Sequence, residues 1–146
     1  MYRFVEYSEL MDVVLDASAI MAVIANEPER EFVIKNTRNS IIIAPSIISI
    51  EISNGLTRMM RRNIIDSKEK LMNLIGNFKK MPIKIEEIDI EKTLEIAWDY
   101  KIYAYDACYL EIAKRMNVTL LTFDGNMGKI GNDLGLKIIG GIDVNI

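Results

Sequence analysis

The sequence predicts an α/β domain with three layers, in which a central parallel sheet of about five strands is flanked on both sides by helices. Short apolar runs, typical of buried parallel strands, alternate with stretches whose apolar residues recur at helical spacing. This alternation is the pattern of a parallel α/β sheet. No repeat, low-complexity tract or linker interrupts it, and 146 residues are enough to bury a core.

Each predicted element follows from the local pattern. The predicted strands are 13–15, 41–43, 83–85, 119–122 and 136–139. The predicted helices are 17–25, 29–36, 46–61, 66–79, 90–100, 105–116 and 126–134. Pro45 suits the first turn of the third helix, and Gly135 suits the end of the last one. Residues 1–10 precede the first strand and are interpreted as an N-terminal extension, so that 11–146 form a single domain.

The composition excludes several kinds of chemistry. The chain contains no histidine and one cysteine, Cys108, which excludes Ser-His and Cys-His nucleophiles, imidazole zinc sites and an internal disulfide. Chemistry would then depend on carboxylates, hydroxyls, lysines or the backbone, which favours oxygen-ligated ions such as Mg²⁺ or Mn²⁺. Because the sequence shows neither a signal peptide nor a transmembrane segment, we expect a cytoplasmic protein that does not contact membranes.

Four acidic residues fall where a parallel sheet binds its ligands, beyond the carboxyl ends of the strands. Asp16 ends the first strand, and Asp124 follows the fourth. Glu51 lies near the start of the third helix, with Asn54 one turn later on the same face. Asp106 lies in the first turn of the sixth helix. The predicted fold would therefore bring these side chains to one edge of the sheet.

Each acid also has a purely structural interpretation. Asp16 could cap the following helix together with Ser18, Asp106 could stabilise a helix dipole, and Asp124 could start a turn. Glu51 is the hardest to explain in this way, because it interrupts a run of isoleucines. A carboxylate without a partner is costly in apolar surroundings, so a metal ion is a natural partner for it.

Four motifs together resemble the PIN domain family, and in particular its VapC-type ribonuclease toxins. They are Asp16-Ala17-Ser18 after the first strand, Pro45-Ser46-x₄-Glu51-x₂-Asn54, Tyr105-Asp106-Ala107-x-Tyr109-Leu110-x₂-Ala113 and Leu121-Thr122-x-Asp124. Each motif alone is weak, but four of them in the right order on the right elements are specific. The resemblance extends from residue 12 to about residue 140.

The resemblance implies a helix-flanked parallel sheet, a homodimer, and Mg²⁺- or Mn²⁺-dependent cleavage of RNA. The catalytic and metal-binding cluster would then comprise Asp16, Glu51, Asp106 and Asp124. Ser18, Asn54, Thr122 and Asn126 would support it. One departure concerns a position where many members have a further Asp and this chain has Asn126. Because an amide brings no charge, a second metal ion is expected to bind weakly or only with substrate.

The charge distribution determines how RNA could approach this chain. The net charge is −3, whereas nucleic-acid-binding proteins are usually basic. Residues 57–70 differ, since they contain five basic residues against two acidic ones. Arg58 lies two turns after Glu51 on the same helix face, and with Arg61 and Arg62 it is a candidate for binding phosphates. The alternative is a solvated helix end whose bases favour the dipole.

The resemblance implies that the chain is an endoribonuclease, the toxin of a type II toxin–antitoxin pair restrained by a protein antitoxin. Two alternatives keep the fold: an RNA-processing nuclease outside such a pair, and a non-catalytic RNA-binding module. A phospho-signalling receiver domain would need paired acids after the first strand, where this chain has only Asp16 before Ser18. Tyr109 and Leu110 are interpreted as packing residues of the sixth helix.

Overall fold

The computed structural model describes residues 12–140, which form five strands and seven helices. The strands are β1 (Val13–Leu15), β2 (Ile42–Pro45), β3 (Ile83–Glu86), β4 (Thr119–Thr122) and β5 (Ile138–Gly140). The helices are α1 (Ala17–Ile24), α2 (Arg30–Thr37), α3 (Ile48–Arg61), α4 (Lys68–Lys80), α5 (Ile90–Tyr100), α6 (Ala104–Met116) and α7 (Gly125–Asp133). The predicted order of elements is confirmed. The predicted extension of residues 1–10 lies outside the described range.

All strand pairs of the sheet are parallel, and the strand order is β3-β2-β1-β4-β5. The central strand β1 pairs on one side with β2, at Val13–Ile42, and on the other with β4, at Val13–Thr119. From β1 the chain continues to β2 and β3 on one side of β1, and it reaches the other side of β1 only with β4. The carboxyl ends of β1 and β4 therefore flank a topological switch point, where open α/β sheets bind their ligands.

The helices form two layers around the sheet. Helix α1 packs against α2, α3 and α4, whereas α6 packs against α5, α7 and the strands β1, β2 and β4. Right-handed crossovers place α1–α4 on one face and α5–α7 on the other. Strands β1 and β4 are buried along their whole length because both faces of the sheet are covered. The predicted three-layer architecture is confirmed.

One predicted detail is wrong. Pro45 is not in the first turn of α3 but is the last residue of β2, where it is paired with Glu86 of β3. The helix begins three residues later, at Ile48. Since the ladder ends at Pro45, its missing N–H costs little there, and a turn separates the strand from the helix.

An ion pair between a buried glutamate and a partly exposed arginine helps to fix the orientation of α6. The Glu111 side chain is 1% exposed and accepts a hydrogen bond of 2.7 Å from Nε of Arg115, one turn later. Nη2 of the same arginine donates to the carbonyl oxygen of Glu87, before α5, at 2.6 Å. This contact ties the C-terminal half of α6 to the segment after β3, so the first turn of α6 is held at the opposite edge of the sheet. No helix within residues 12–140 is long and apolar enough to cross a bilayer.

Candidate functional site

The structure brings the four predicted acids to the carboxyl edge of the sheet. Asp16 follows β1, Asp124 follows β4, and Glu51 and Asp106 lie in the first turns of α3 and α6. Their charges act on one another: Asp124 raises the pKa of Asp16 and of Asp106, and both of these raise the pKa of Glu51. Four side chains from four separate elements thus form one electrostatic cluster.

Asp16 is the most constrained of the four. Its side chain is 3% exposed, and its Oδ1 accepts hydrogen bonds from the Ser18 hydroxyl at 2.6 Å and from the Ala19 amide at 3.0 Å. Oδ2 accepts from the hydroxyl of Thr122. The carboxylate therefore caps α1, as the structural interpretation of Asp16 predicts. Both of its oxygens accept hydrogen bonds.

Thr122 links the two strand ends. Its fully buried hydroxyl donates to Asp16 and accepts a hydrogen bond of 3.0 Å from the backbone amide of Asp124. Asp124 in turn caps α7, since its Oδ1 accepts from the amide of Met127 at 2.9 Å. The N-termini of α1 and α7 consequently point at the cluster, where their dipoles favour negative charge.

Glu51 and Tyr109 face each other with unsatisfied polar atoms. Oε1 of Glu51 and the hydroxyl of Tyr109 are buried, and neither has a hydrogen-bond partner within residues 12–140. The hydroxyl lies close enough to lower the pKa of the Glu51 carboxyl, but the two groups are not aligned as a hydrogen bond. The prediction that Tyr109 is a packing residue agrees with its buried ring, but it did not identify the hydroxyl as part of the site. The signal was its position three residues after Asp106, on the same helix face.

Burial raises the pKa of three of the four acids. For Glu51 and Asp106, burial is the largest cause and a neighbouring carboxylate is the next. For Asp16, burial raises the pKa, and hydrogen bonds from Ser18, Thr122 and the Ala19 amide offset part of the rise. Without a cation, the folded chain therefore holds these carboxylates at a free-energy cost when they are ionised.

A cleft of about 310 Å³ opens beside Glu51. Its lining residues are Ile50, Glu51, Asn54 and Arg58 of α3, and Tyr105 of α6. Asn54 and Arg58 thus lie where the sequence predicts, on the Glu51 face of α3. Ile50 and Tyr105 were missed, since spacing alone does not show which residues of two helices meet.

The remaining candidates lie at the edges of the site. Arg61 ends α3 and Arg62 follows it, and both side chains are exposed and do not line the cleft. Asn126 is exposed in the first turn of α7, two residues after Asp124. Cys108 is buried beneath the site, and burial raises its pKa to about 12, which excludes a thiolate nucleophile near neutral pH.

The cluster fits a divalent cation in its chemistry. Within residues 12–140, no three acidic or cysteine side chains are close enough to form a ready-made metal cage. Mg²⁺ does not require one, because proteins usually bind it through one or two carboxylates and several waters. A buried, unpartnered carboxylate oxygen on Glu51, beside further carboxylates of raised pKa, is what such an ion would satisfy. The donor set therefore fits a hydrated, oxygen-ligated ion.

Comparison with known proteins identifies the family. The family model described as the PIN domain matches residues 13–133, most of the chain. The chain belongs to the PIN domain family. This membership excludes the receiver-domain alternative.

The PIN domain is similar in sequence to two mycobacterial ribonucleases and in structure to a protein from Pyrobaculum aerophilum. It is 24% identical over 121 residues to the VapC ribonuclease Mb0985 of Mycobacterium bovis, covering 82% of this chain and 91% of that protein. It is 23% identical over 119 residues to ribonuclease VapC12 of Mycobacterium tuberculosis, covering 80% and 90%. PAE2754 from Pyrobaculum aerophilum superposes with a TM-score of 0.67 at 22% identity, covering 88% and 90% of the two chains.

A further solved structure shares the fold. VapBC2 from Rickettsia felis, bound to a DNA fragment from their promoter, contains a chain that superposes with a TM-score of 0.64 at 19% identity. The match covers 89% of this chain and 98% of that one. At these identities the two structures establish the fold alone.

We expect Asp106→Asn to stabilise the PIN domain in EDTA. Asp106 forms no side-chain hydrogen bond within residues 12–140, so the change removes charge without removing a recorded bond. Since the pKa is raised in the folded state, wild-type stability falls as pH rises through that pKa. At pH 7 the variant should gain up to about 1 kcal/mol in unfolding free energy, or roughly 2–4 °C in Tm.

Urea unfolding at several pH values measures this gain, which should vanish below the unfolded pKa of about 4. Glu95→Gln, at an exposed position on α5, is the matched control and should show no such gain. Mn²⁺ should raise the Tm of the wild type more than that of Asp106→Asn. A variant less stable than wild type at pH 7 in EDTA would contradict the electrostatic account.

We expect Tyr109→Phe to cost less than about 0.5 kcal/mol in EDTA. A tyrosine hydroxyl that donates a buried hydrogen bond contributes about 1 kcal/mol, but the Tyr109 hydroxyl has no partner within the described part of the chain. Tyr109→Leu, which also removes ring packing, should cost several times more, since the side chain is only 1% exposed. A loss above about 1.5 kcal/mol for Tyr109→Phe would show that the hydroxyl and Glu51 are bonded in solution.

Proposed function

We propose that this PIN domain is an endoribonuclease that depends on Mg²⁺ or Mn²⁺ and hydrolyses RNA phosphodiester bonds. The observation that supports it most is the arrangement of Asp16, Glu51, Asp106 and Asp124 at the switch point. Among the described residues, Oε1 of Glu51 has no hydrogen-bond partner. The ribonuclease names of the mycobacterial relatives support the same reaction. Since the chain contains no histidine, the carboxylates supply the acid–base chemistry.

In this mechanism each acid has a distinct task. Asp16, whose position the Ser18 and Thr122 hydroxyls hold, binds the cation together with Asp106 and Asp124. When bound, the cation lowers the pKa of water and draws charge from the phosphoryl oxygens. Oε1 of Glu51 orients the attacking water and accepts its proton, a role that its raised pKa favours. Asn54 supports Glu51 from one turn further along α3.

We also propose that the chain is the toxin of a type II toxin–antitoxin pair, forms a homodimer and is restrained by a protein antitoxin. The Rickettsia felis relative, solved as VapBC2, supports such a partner. An apolar stripe on α5 is available for protein contact, because three side chains four residues apart are largely exposed: Ile90 (67%), Leu94 (55%) and Trp98 (74%).

Incubation of the purified chain with pooled cellular RNA tests the proposed reaction. We expect cut ends with Mg²⁺ or Mn²⁺, none with EDTA, and at least about a 100-fold lower rate for Asp106→Asn, because the ion would lose a ligand. Glu95→Gln should cut at the wild-type rate. Cleavage that persists in EDTA or in Asp106→Asn would refute metal-dependent catalysis at this cluster.

We propose that Arg58, Arg61 and Arg62 bind RNA phosphates. If Arg61 and Arg62 each neutralise one phosphate, replacing both with Ala should flatten the slope of log affinity against log salt by about 1.4. Filter binding to an unstructured RNA measures this slope. Replacing Lys79 and Lys80, an exposed basic pair at the end of α4, is the matched control. Equal slopes for the two double variants would favour the solvated-helix interpretation.

A further inference from the structure

The cleft beside Glu51 contains two side chains, Ile50 and Tyr105, to which the proposed reaction gives no role. Three of its residues, Ile50, Asn54 and Arg58, are spaced by four along α3 and form one stripe on that helix. Tyr105 of α6 contributes a further wall. Only Glu51 belongs both to the cleft and to the acidic cluster. A ligand in the cleft would therefore lie directly beside the proposed reaction centre.

The side chains in the cleft are free to meet a ligand. Ile50 is 60% exposed and Tyr105 is 58% exposed, so two apolar surfaces are left in solvent beside the site. Within residues 12–140, the side chains of Asn54 and Arg58 form no hydrogen bond or ion pair, although the charge of Arg58 lowers the pKa of Glu51. An amide with both donor and acceptor, a guanidinium and an aromatic ring thus line one small cleft.

This combination is the chemistry that recognises an unpaired nucleotide. Aromatic rings stack on exposed bases, and amides bond to the base edges that pairing would otherwise hide. Arginine bonds to phosphate oxygens. A cleft of about 310 Å³ is at the lower end of the range for small-ligand sites, a size that suits a single base.

We propose that this cleft is a nucleobase subsite, in which one unpaired RNA base adjoining the scissile phosphate stacks on Tyr105. Asn54 bonds to the edge of that base, Arg58 holds the adjoining phosphate, and Ile50 contacts the base from α3. The proposal rests on the proposed ribonuclease function and adds a source of sequence preference to it. It assigns Tyr105 to substrate binding, a position that the acidic cluster does not involve.

Fluorescence of 2-aminopurine tests the subsite without cleavage. The probe is a decauridylate with one central 2-aminopurine, bound to Asp106→Asn protein in Mg²⁺ so that it is not consumed. Stacking on Tyr105 should quench the fluorescence. Adding Tyr105→Ala should remove the quenching and weaken binding roughly 10-fold, the loss expected for one stacked base, whereas Tyr105→Phe should preserve both.

Tyr103→Ala is the matched control, since Tyr103 is 82% exposed, lies two residues away and does not line the cleft. It should leave quenching and affinity unchanged. In the otherwise wild-type enzyme, Tyr105→Ala should raise KM with little change in kcat, and Asn54→Ala should change which base is preferred beside the cut.

Two failures are distinguishable. If Tyr105→Ala and Tyr103→Ala behave alike, or if the probe is not quenched, the subsite is refuted whether or not the wild type cuts RNA. If the probe is quenched through Tyr105 while the wild type cuts no RNA with either metal, the subsite stands as a single-strand binding site and the proposed reaction is refuted. Equal quenching and affinity for the DNA counterpart of the probe would refute specificity for RNA.

Discussion

The hydrogen bond between Thr122 and Asp16 is the contact on which the rest of the site depends. It joins the carboxyl ends of the two central strands, and the same hydroxyl accepts from the backbone of Asp124. Both aspartates also cap helices, so the positions of α1 and α7 are set by the same few atoms. Local capping and the acidic cluster are therefore not competing explanations, because the caps hold the carboxylates where the cluster needs them.

This arrangement makes the cluster unfavourable as long as no cation neutralises it. Burial and mutual repulsion raise the pKa of Asp16, Glu51 and Asp106, and Oε1 of Glu51 has no partner within the described residues. The helix dipoles and hydroxyls offset part of this cost. Under the proposed function, a bound ion would remove more of this cost, so ion binding would also stabilise the folded protein.

The fold was predictable because apolar residues recur at helical spacing in the helices but form continuous runs in the buried strands. The two strands before Asp16 and Asp124 are buried along their whole length and therefore show such runs. The acids were predictable because Asp16 directly follows β1 and Asp124 lies two residues after the end of β4. Pro45 was misplaced, since a proline at the end of a strand and one at the start of a helix look alike in sequence. The Tyr109 hydroxyl was missed although its spacing from Asp106 places both on one face of α6. The cleft wall at Tyr105 was missed because it depends on how α6 lies against α3, which no local pattern encodes.

Under the proposed function, Asn126 bears on how many ions the cluster would bind. It lies in the first turn of α7, exposed and close in sequence to Asp124, where a carboxylate would add a further negative charge to the cluster. Because Asn126 is an amide, it adds no repulsion between carboxylates to the metal-free protein. For the same reason it could bind a second ion only through a neutral oxygen. Under the proposed function, the missing charge must come from the RNA phosphate. A second ion would then bind together with the substrate, whereas the first would bind to the free protein.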